Sequence, residues 1–255
     1  MRFQGKTALI SGAGRNMGKA IALAFAREGS DVILLSRTGE ELKQVAKECE
    51  DLGVQALPLA TDVGKHDEVN RAVQLGLELF GKVDVLVTVA GMRPHYAFWD
   101  FSYEQWHQVF GVNLHSTFYL AKALAPGMIE RKRGSIIALG GQSSLTATRA
   151  HMGAVAASKH GLYGLIKAMA VDLGAYGIRA NLIGVGSIET ERRNPEWYLP
   201  GEDIHASSHE HDRTALRRAG IPQEIANVVL FLASDESSYI TGDCIVCTGG
   251  RFPMA

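Results

Sequence analysis

The chain has 255 residues, and the 46% that are hydrophobic can fill a sizeable core, which excludes a disordered protein. Lysine and arginine number 26 against 27 aspartate and glutamate, so no basic field exists to attract nucleic acid or an anionic membrane. No apolar run of about 18 residues occurs, which speaks against a membrane span, and the N-terminus enters a strand pattern with no secretory segment before it, so the cytoplasm is the expected compartment.

Thr7–Ser11 reads as a first strand, and Met17, Ala20, Ile21, Ala24 and Phe25 then recur at helical spacing. Asp31–Ser36 is a second apolar run, after which Thr38 and Glu41 have the spacing of a capping box. Residues 54–60 read as a third strand, and Val69, Val73, Leu77 and Phe80 mark one face of the next helix. Residues 83–89 are almost continuously apolar, as expected of a strand buried on both faces. Ser102 and Gln105 cap what reads as one long helix reaching Arg131–Arg133. Residues 136–139 form a fifth strand, residues 153–176 a helix, and Ile178–Val185 a further strand. Pro222 suits the first turn of a late helix, and residues 240–248 close the sheet.

Strand and helix alternate throughout, with no linker or repeat. The expectation is an α/β fold: a single Rossmann domain over residues 1–255, with helices on both faces of a doubly wound parallel sheet. Residues 187–216 form the one long irregular stretch and read as a substrate lid. Cys244 and Cys247 form a CxxC, but strand residues three apart face opposite sides, so they read as two unpaired thiols in a reducing compartment. His205 and His209 on the lid have the i, i+4 spacing of metal ligands, with His211, Glu202, Asp203, Glu210 and Asp212 nearby. Without a helical context the segment reads as a solvated mixed-charge lid, and no metal is expected.

The first strand ends in Ser11-Gly12-Ala13-Gly14-Arg15-Asn16-Met17-Gly18, and a helix follows. Glycines at such a turn let backbone amides approach a pyrophosphate, whose charge the helix N-terminus favours. The segment resembles the TGxxxGxG of the short-chain dehydrogenases/reductases. Ser11 stands for the threonine, Gly12 and Gly18 match, and Asn16 replaces the middle glycine; Asn adopts positive φ more readily than most residues. The resemblance covers the whole chain. Residues 84–91 are similar to the family's DxLVNNAG, with Thr88 and Val89 in place of both asparagines. Asn113, Lys159 in Ala157-Ser158-Lys159-His160-Gly161, and Gly186-Ser187-Ile188-Glu189-Thr190 fall in family order.

The resemblance implies a nicotinamide dinucleotide held by Ser11, Gly12, Arg15, Asn16, Met17, Gly18, Ser36, Arg37, Asp62, Val63, Ala90, Gly91, Lys159, Gly186, Ile188 and Thr190, with Asp62-Val63 against adenine. An acidic residue after the second strand would favour NAD. Here Ser36-Arg37-Thr38 stands there and Arg15 lies in the glycine loop, which favours the 2′-phosphate of NADP(H), with NAD the alternative.

In the family a tyrosine four residues before the lysine protonates the substrate oxygen, a serine orients the carbonyl, and an asparagine holds a water of the proton relay. Asn113 and Lys159 match, but Val155 stands at the tyrosine position. Alignment from either side puts Gly141 or Gln142 at the serine position, beside Ser143 and Ser144. His151, eight residues before Lys159, is the leading substitute acid, with His95 and Tyr96 behind it. Trp197, Tyr198 and Leu199, with Met92, Phe98 and Trp99, suggest an apolar or ring-bearing substrate. An NADP(H)-dependent oxidoreductase of carbonyl or alcohol substrates with a non-standard donor is the first expectation. An inactive cofactor-binding sensor or scaffold is the second. Enoyl reduction would also lack its tyrosine. The helix over residues 153–176 is apolar on several faces, and with the resemblance it implies a homotetramer.

Overall fold

Alternate residues of each central strand bury into opposite cores, and that pattern builds the sheet. In Thr7–Ser11 (β1), Ala8 and Ile10 enter one apolar cluster while Leu9 enters the other. In Asp31–Ser36 (β2), Val32 and Leu34 oppose Ile33 and Leu35 in the same way. A computed structural model of the chain describes residues 1–147, 149–191, 194–198 and 214–251. Leu199, the lid histidines 205, 209 and 211, and their acidic neighbours lie outside the described residues.

Ala56–Ala60 (β3), Val85–Thr88 (β4), Gly134–Leu139 (β5), Ile178–Val185 (β6) and Cys244–Cys247 (β7) complete a seven-stranded sheet of order β3-β2-β1-β4-β5-β6-β7. Every adjacent pair is parallel. Asn16–Arg27 (α1), Gly39–Glu50 (α2) and Pro222–Ala233 (α7) cover one face. His66–Phe80 (α3), Ser116–Glu130 (α5) and Gly153–Gly174 (α6) cover the other. The fold is therefore a Rossmann-type α/β domain. Its strand order reverses between β1 and β4, and the crevice beyond their carboxyl ends is where such sheets bind ligands. Cys244 packs on one face and Cys247 on the other, and both are free thiols.

Three local expectations change. Thr38 does precede α2, but its side chain does not cap it. Glu41 instead turns toward the glycine loop, where a Cβ on Gly14 would meet its carboxylate at 3.1 Å. The long helix after Ser102 is interrupted. The Ser102–Gln105 capping box opens Tyr103–Phe110 (α4), a π-helical turn spans Gly111–His115, and α5 follows. β4 and β7 are shorter than their apolar runs. Asp84 accepts the Thr7 amide at 3.0 Å, and Asn181 donates to the Ile240 carbonyl at 2.8 Å.

Candidate active site

At the switch point the glycine loop is pressed against its own helix. Gly12 has φ +67°, and a Cβ there would lie 2.8 Å from the Ala90 amide. A Cβ on Gly18 would collide with the Gly12 carbonyl. Ser11 is fully buried behind this turn, and its hydroxyl accepts from the amides of Val89 at 3.1 Å and Ala90 at 3.4 Å. It braces the loop and is not on the cleft wall. Arg15 precedes α1 in extended conformation and makes no side-chain cap among the described residues, and the first turn of α1 carries no acidic side chain. The helix thus presents uncapped amides and positive partial charge to the crevice, which suits a pyrophosphate.

Asn16 takes φ +50°, the left-handed conformation that a glycine usually supplies. Its side chain does something a glycine cannot. Nδ2 donates to the Glu191 carbonyl at 3.0 Å, and Oδ1 accepts the Glu191 amide at 3.0 Å. This reciprocal clasp joins the glycine loop to the segment that follows β6.

The crevice is a cleft of about 770 Å³. Gly12, Arg15, Asn16, Met17 and Gly18 wall one end, and Ser36, Arg37, Asp62 and Val63 lie beyond them. Glu41 shares that end, so two guanidiniums there face one carboxylate. Ala90, Gly91, Lys159, Gly186, Ile188 and Thr190 continue the wall toward the far end. Apart from Ser11, all the residues expected at the cofactor thus share one cleft.

The π-helical turn brings Asn113 inward, where it is buried. The Met92 amide donates to its Oδ1 at 2.7 Å, while its Nδ2 donates to the Met92 carbonyl at 3.0 Å and to Ser158 Oγ at 3.1 Å. The widened i→i+5 turn thereby lets Asn113 tie the loop after β4 to Ser158 on α6. Lys159 is buried beside it and donates from Nζ to the Leu139 carbonyl at 2.7 Å. Burial pushes its ammonium down from 10.5 to about 8. A Cβ on Gly91 would sit 3.5 Å from Asn113 Oδ1 and 3.8 Å from Lys159 Nζ, so the two polar side chains converge on one point of the cleft.

The remaining expected positions fare differently. Val155 lies at the wall but belongs to an apolar cluster with Val109, Met152 and Ala154. Ser144 is buried and accepts the Gly141 amide at 3.2 Å, leaving Gln142 and Ser143 on the wall. His151 is half-buried with φ +64°, and its carbonyl accepts the Tyr96 amide at 2.9 Å. The left-handed turn at His151 leaves Arg149 and Met152, not His151, among the residues lining the cleft. His95 is 2% exposed, and its amide donates to the Trp197 carbonyl at 2.7 Å. Tyr96 packs edge-on against Phe101. Phe98 and Trp99 are exposed, whereas Met92, Trp197 and Tyr198 line the cleft. Arg93 and Arg149 also line it, and no local sequence pattern singled them out.

Comparison with known proteins agrees with this arrangement. The family described as enoyl-(acyl carrier protein) reductase matches residues 12–251. The 3-oxoacyl-[acyl-carrier-protein] reductase FabG of Thermotoga maritima is 37% identical over 252 residues, covering 98% of this chain and 99% of its own. The L-rhamnose 1-dehydrogenase (NAD(P)(+)) of a Sphingomonas species is 32% identical over 252 residues, covering 98% and 97%. Among solved structures, a short-chain type dehydrogenase/reductase from Mycobacterium marinum superposes with a TM-score of 0.89 at 33% identity, covering 98% of this chain and 97% of its own. The sheet order and the bare helix end at its switch point define a dinucleotide-binding α/β domain. Within that class, the chain belongs to the short-chain dehydrogenase/reductase family.

Asn16→Gly keeps the backbone conformation and deletes the clasp. The Glu191 amide should then exchange with solvent roughly 10-fold faster in the cofactor-free protein, since each such bond contributes about 0.5–1.5 kcal/mol. Hydrogen exchange read at that amide checks this. Unchanged protection would show that the clasp holds nothing in place.

Proposed function

We propose that this chain is an NADP(H)-dependent oxidoreductase that interconverts a carbonyl and an alcohol, with a proton donor other than residue 155. The observation that carries this reading is the convergence of Lys159 and Asn113 at the far end of the dinucleotide cleft. An ammonium buried without a task is costly, and the family gives it one at the nicotinamide ribose. The names of the relatives, a 3-oxoacyl reductase and a sugar dehydrogenase, support the same reaction class.

When bound, the reduced nicotinamide supplies the hydride. Lys159 orients the ribose, and its charge favours the negative charge that develops on the substrate oxygen. Asn113 holds Met92, and so fixes the loop on which the substrate rests. Gly141 or Gln142 aligns with the family's serine, and Gln142 and the adjacent Ser143 on the wall can each donate a hydrogen bond. Met92, Met152, Val155 and Trp197 offer apolar surface to the substrate.

Arg15 and Arg37, with the hydroxyls of Ser36 and Thr38, favour a 2′-phosphate over a bare ribose. We also read the protein as a cytoplasmic homotetramer. Phe118 on α5 is 46% exposed and Val171 on α6 is 81% exposed, an apolar display that a partner subunit would cover. Among the described residues no helix is long and apolar enough to cross a membrane.

Three outcomes test the reading. NADPH should bind roughly 10- to 100-fold more tightly than NADH, the range for one or two charge-assisted hydrogen bonds, and Arg37→Asp should reverse the order. Fluorescence titration of both cofactors measures it, and equal affinities would overturn the assignment to NADP(H). The Lys159 ammonium is present below about pH 8 and lost above it. NADPH affinity should therefore fall as pH rises through about 8, and Lys159→Met should weaken binding at neutral pH and flatten that profile. Light scattering at micromolar concentration should give four times the chain mass, whereas a clean monomer would refute the tetramer.

A further inference from the structure

Val155 leaves the carbonyl end of the cleft without the acid that the family carries there. Among the described residues that wall the cleft, Tyr198 is the one phenol. It is chemically the same kind of acid as the missing one, and it arrives from the lid instead of from α6.

We propose that Tyr198 is the catalytic proton donor of this enzyme. The proposal rests on the carbonyl-reductase reading given above. Its support is a continuous set of contacts between the retained half of the site and this side chain. Asn113 grips Met92 through both of its backbone groups, beside Lys159. Three residues on, the His95 amide donates to the Trp197 carbonyl at 2.7 Å. The Tyr198 ring then stands edge-on to the buried His95 ring, with centroids 5.1 Å apart and planes at 71°. The loop after β4, gripped at Met92 by Asn113, thus also holds the segment of Trp197 and Tyr198 at the same cleft.

Lys159 is tied to the Leu139 carbonyl, and the guanidiniums, the amide and the alcohol on the wall are poorer acids than a phenol. Arg93 and Arg149 carry guanidiniums that do not release a proton in the working pH range. Gln142 has no acidic proton, and Ser143 carries an alcohol far weaker as an acid than a phenol. His95 is buried, and neither it nor His151 is on the wall.

The step balances as follows. The carbonyl carbon accepts the hydride and forms a C–H bond, while the π pair of C=O moves onto oxygen. That oxygen takes the Tyr198 proton as the phenolic O–H breaks, giving the alcohol and the oxidised cofactor. Water then returns a proton to the Tyr198 oxygen.

Tyr198→Phe removes the hydroxyl and keeps the ring against His95, so folding should be preserved. Reduction of a panel of cyclic and aromatic ketones should fall by about 10²–10⁴ in kcat, the usual contribution of a positioned acid, while NADPH affinity is unchanged. A second readout needs no turnover. The infrared carbonyl stretch of an aromatic ketone bound to the NADP⁺-loaded protein should lie below its value in water-free solvent. Tyr198→Phe should move it back up. Wild-type activity with an unaffected Tyr198→Phe variant overturns the proposal, and a simultaneous loss in His151→Ala would move the donor to His151. A wild type that binds NADPH, reduces none of the ketones and leaves the carbonyl stretch unshifted overturns the reductase reading itself, and this proposal falls with it.

Discussion

A buried ammonium organises this molecule. Lys159 lies inside the protein, where an unsolvated charge is tolerated only against well-placed oxygen atoms. Its acceptor is the carbonyl of Leu139, the last residue of β5, and Asn113 Oδ1 faces the same point of the cleft. The docking of α6 over the end of β5 brings Nζ to that carbonyl, and the bulge at Gly111–His115 carries Asn113 to Met92 and Ser158. The incomplete compensation is visible in the ammonium itself, held near 8.

Around that fixed point the site divides into a half that keeps the family pattern and a half that abandons it. Lys159, Asn113 and Ala90-Gly91 keep it, while Thr88 and Val89 stand where the family has two asparagines. One helical turn away, Val155 has joined an apolar cluster with Val109, Met152 and Ala154. A valine there adds packing and carries no proton to donate. Trp197 and Tyr198 line the same cleft, and the Trp197 carbonyl accepts the His95 amide.

The glycine loop shows the same economy. A glycine at residue 16 would serve only backbone geometry. Asn16 accepts the left-handed conformation and uses its amide to bind Glu191 in both directions. Two segments that flank the cofactor cleft are joined by a side chain that is costly for its backbone and useful for its reach.

The amino-acid sequence by itself determined the sheet, the switch point and the cofactor end of the cleft. Those follow from strand alternation, helical spacing and the close approach that Gly12 and Gly18 allow, all read from near neighbours in the chain. Family spacing pointed to Asn113, Lys159 and Val155, which the fold brings to or beside the cleft. The sequence also encoded the positive φ of Asn16, because that preference is local. The break at Gly111–His115, the turn that keeps His151 off the wall, and Glu41's departure from its capping position were decided by the tertiary structure. So were the Asn16–Glu191 clasp, whose partners stand 175 residues apart, and the His95–Tyr198 contact. The physical reason is common to all of them. Periodicity and turn chemistry act over a few residues, whereas these contacts exist only after the sheet has closed and set distant loops side by side, where burial and hydrogen-bond satisfaction choose the partner.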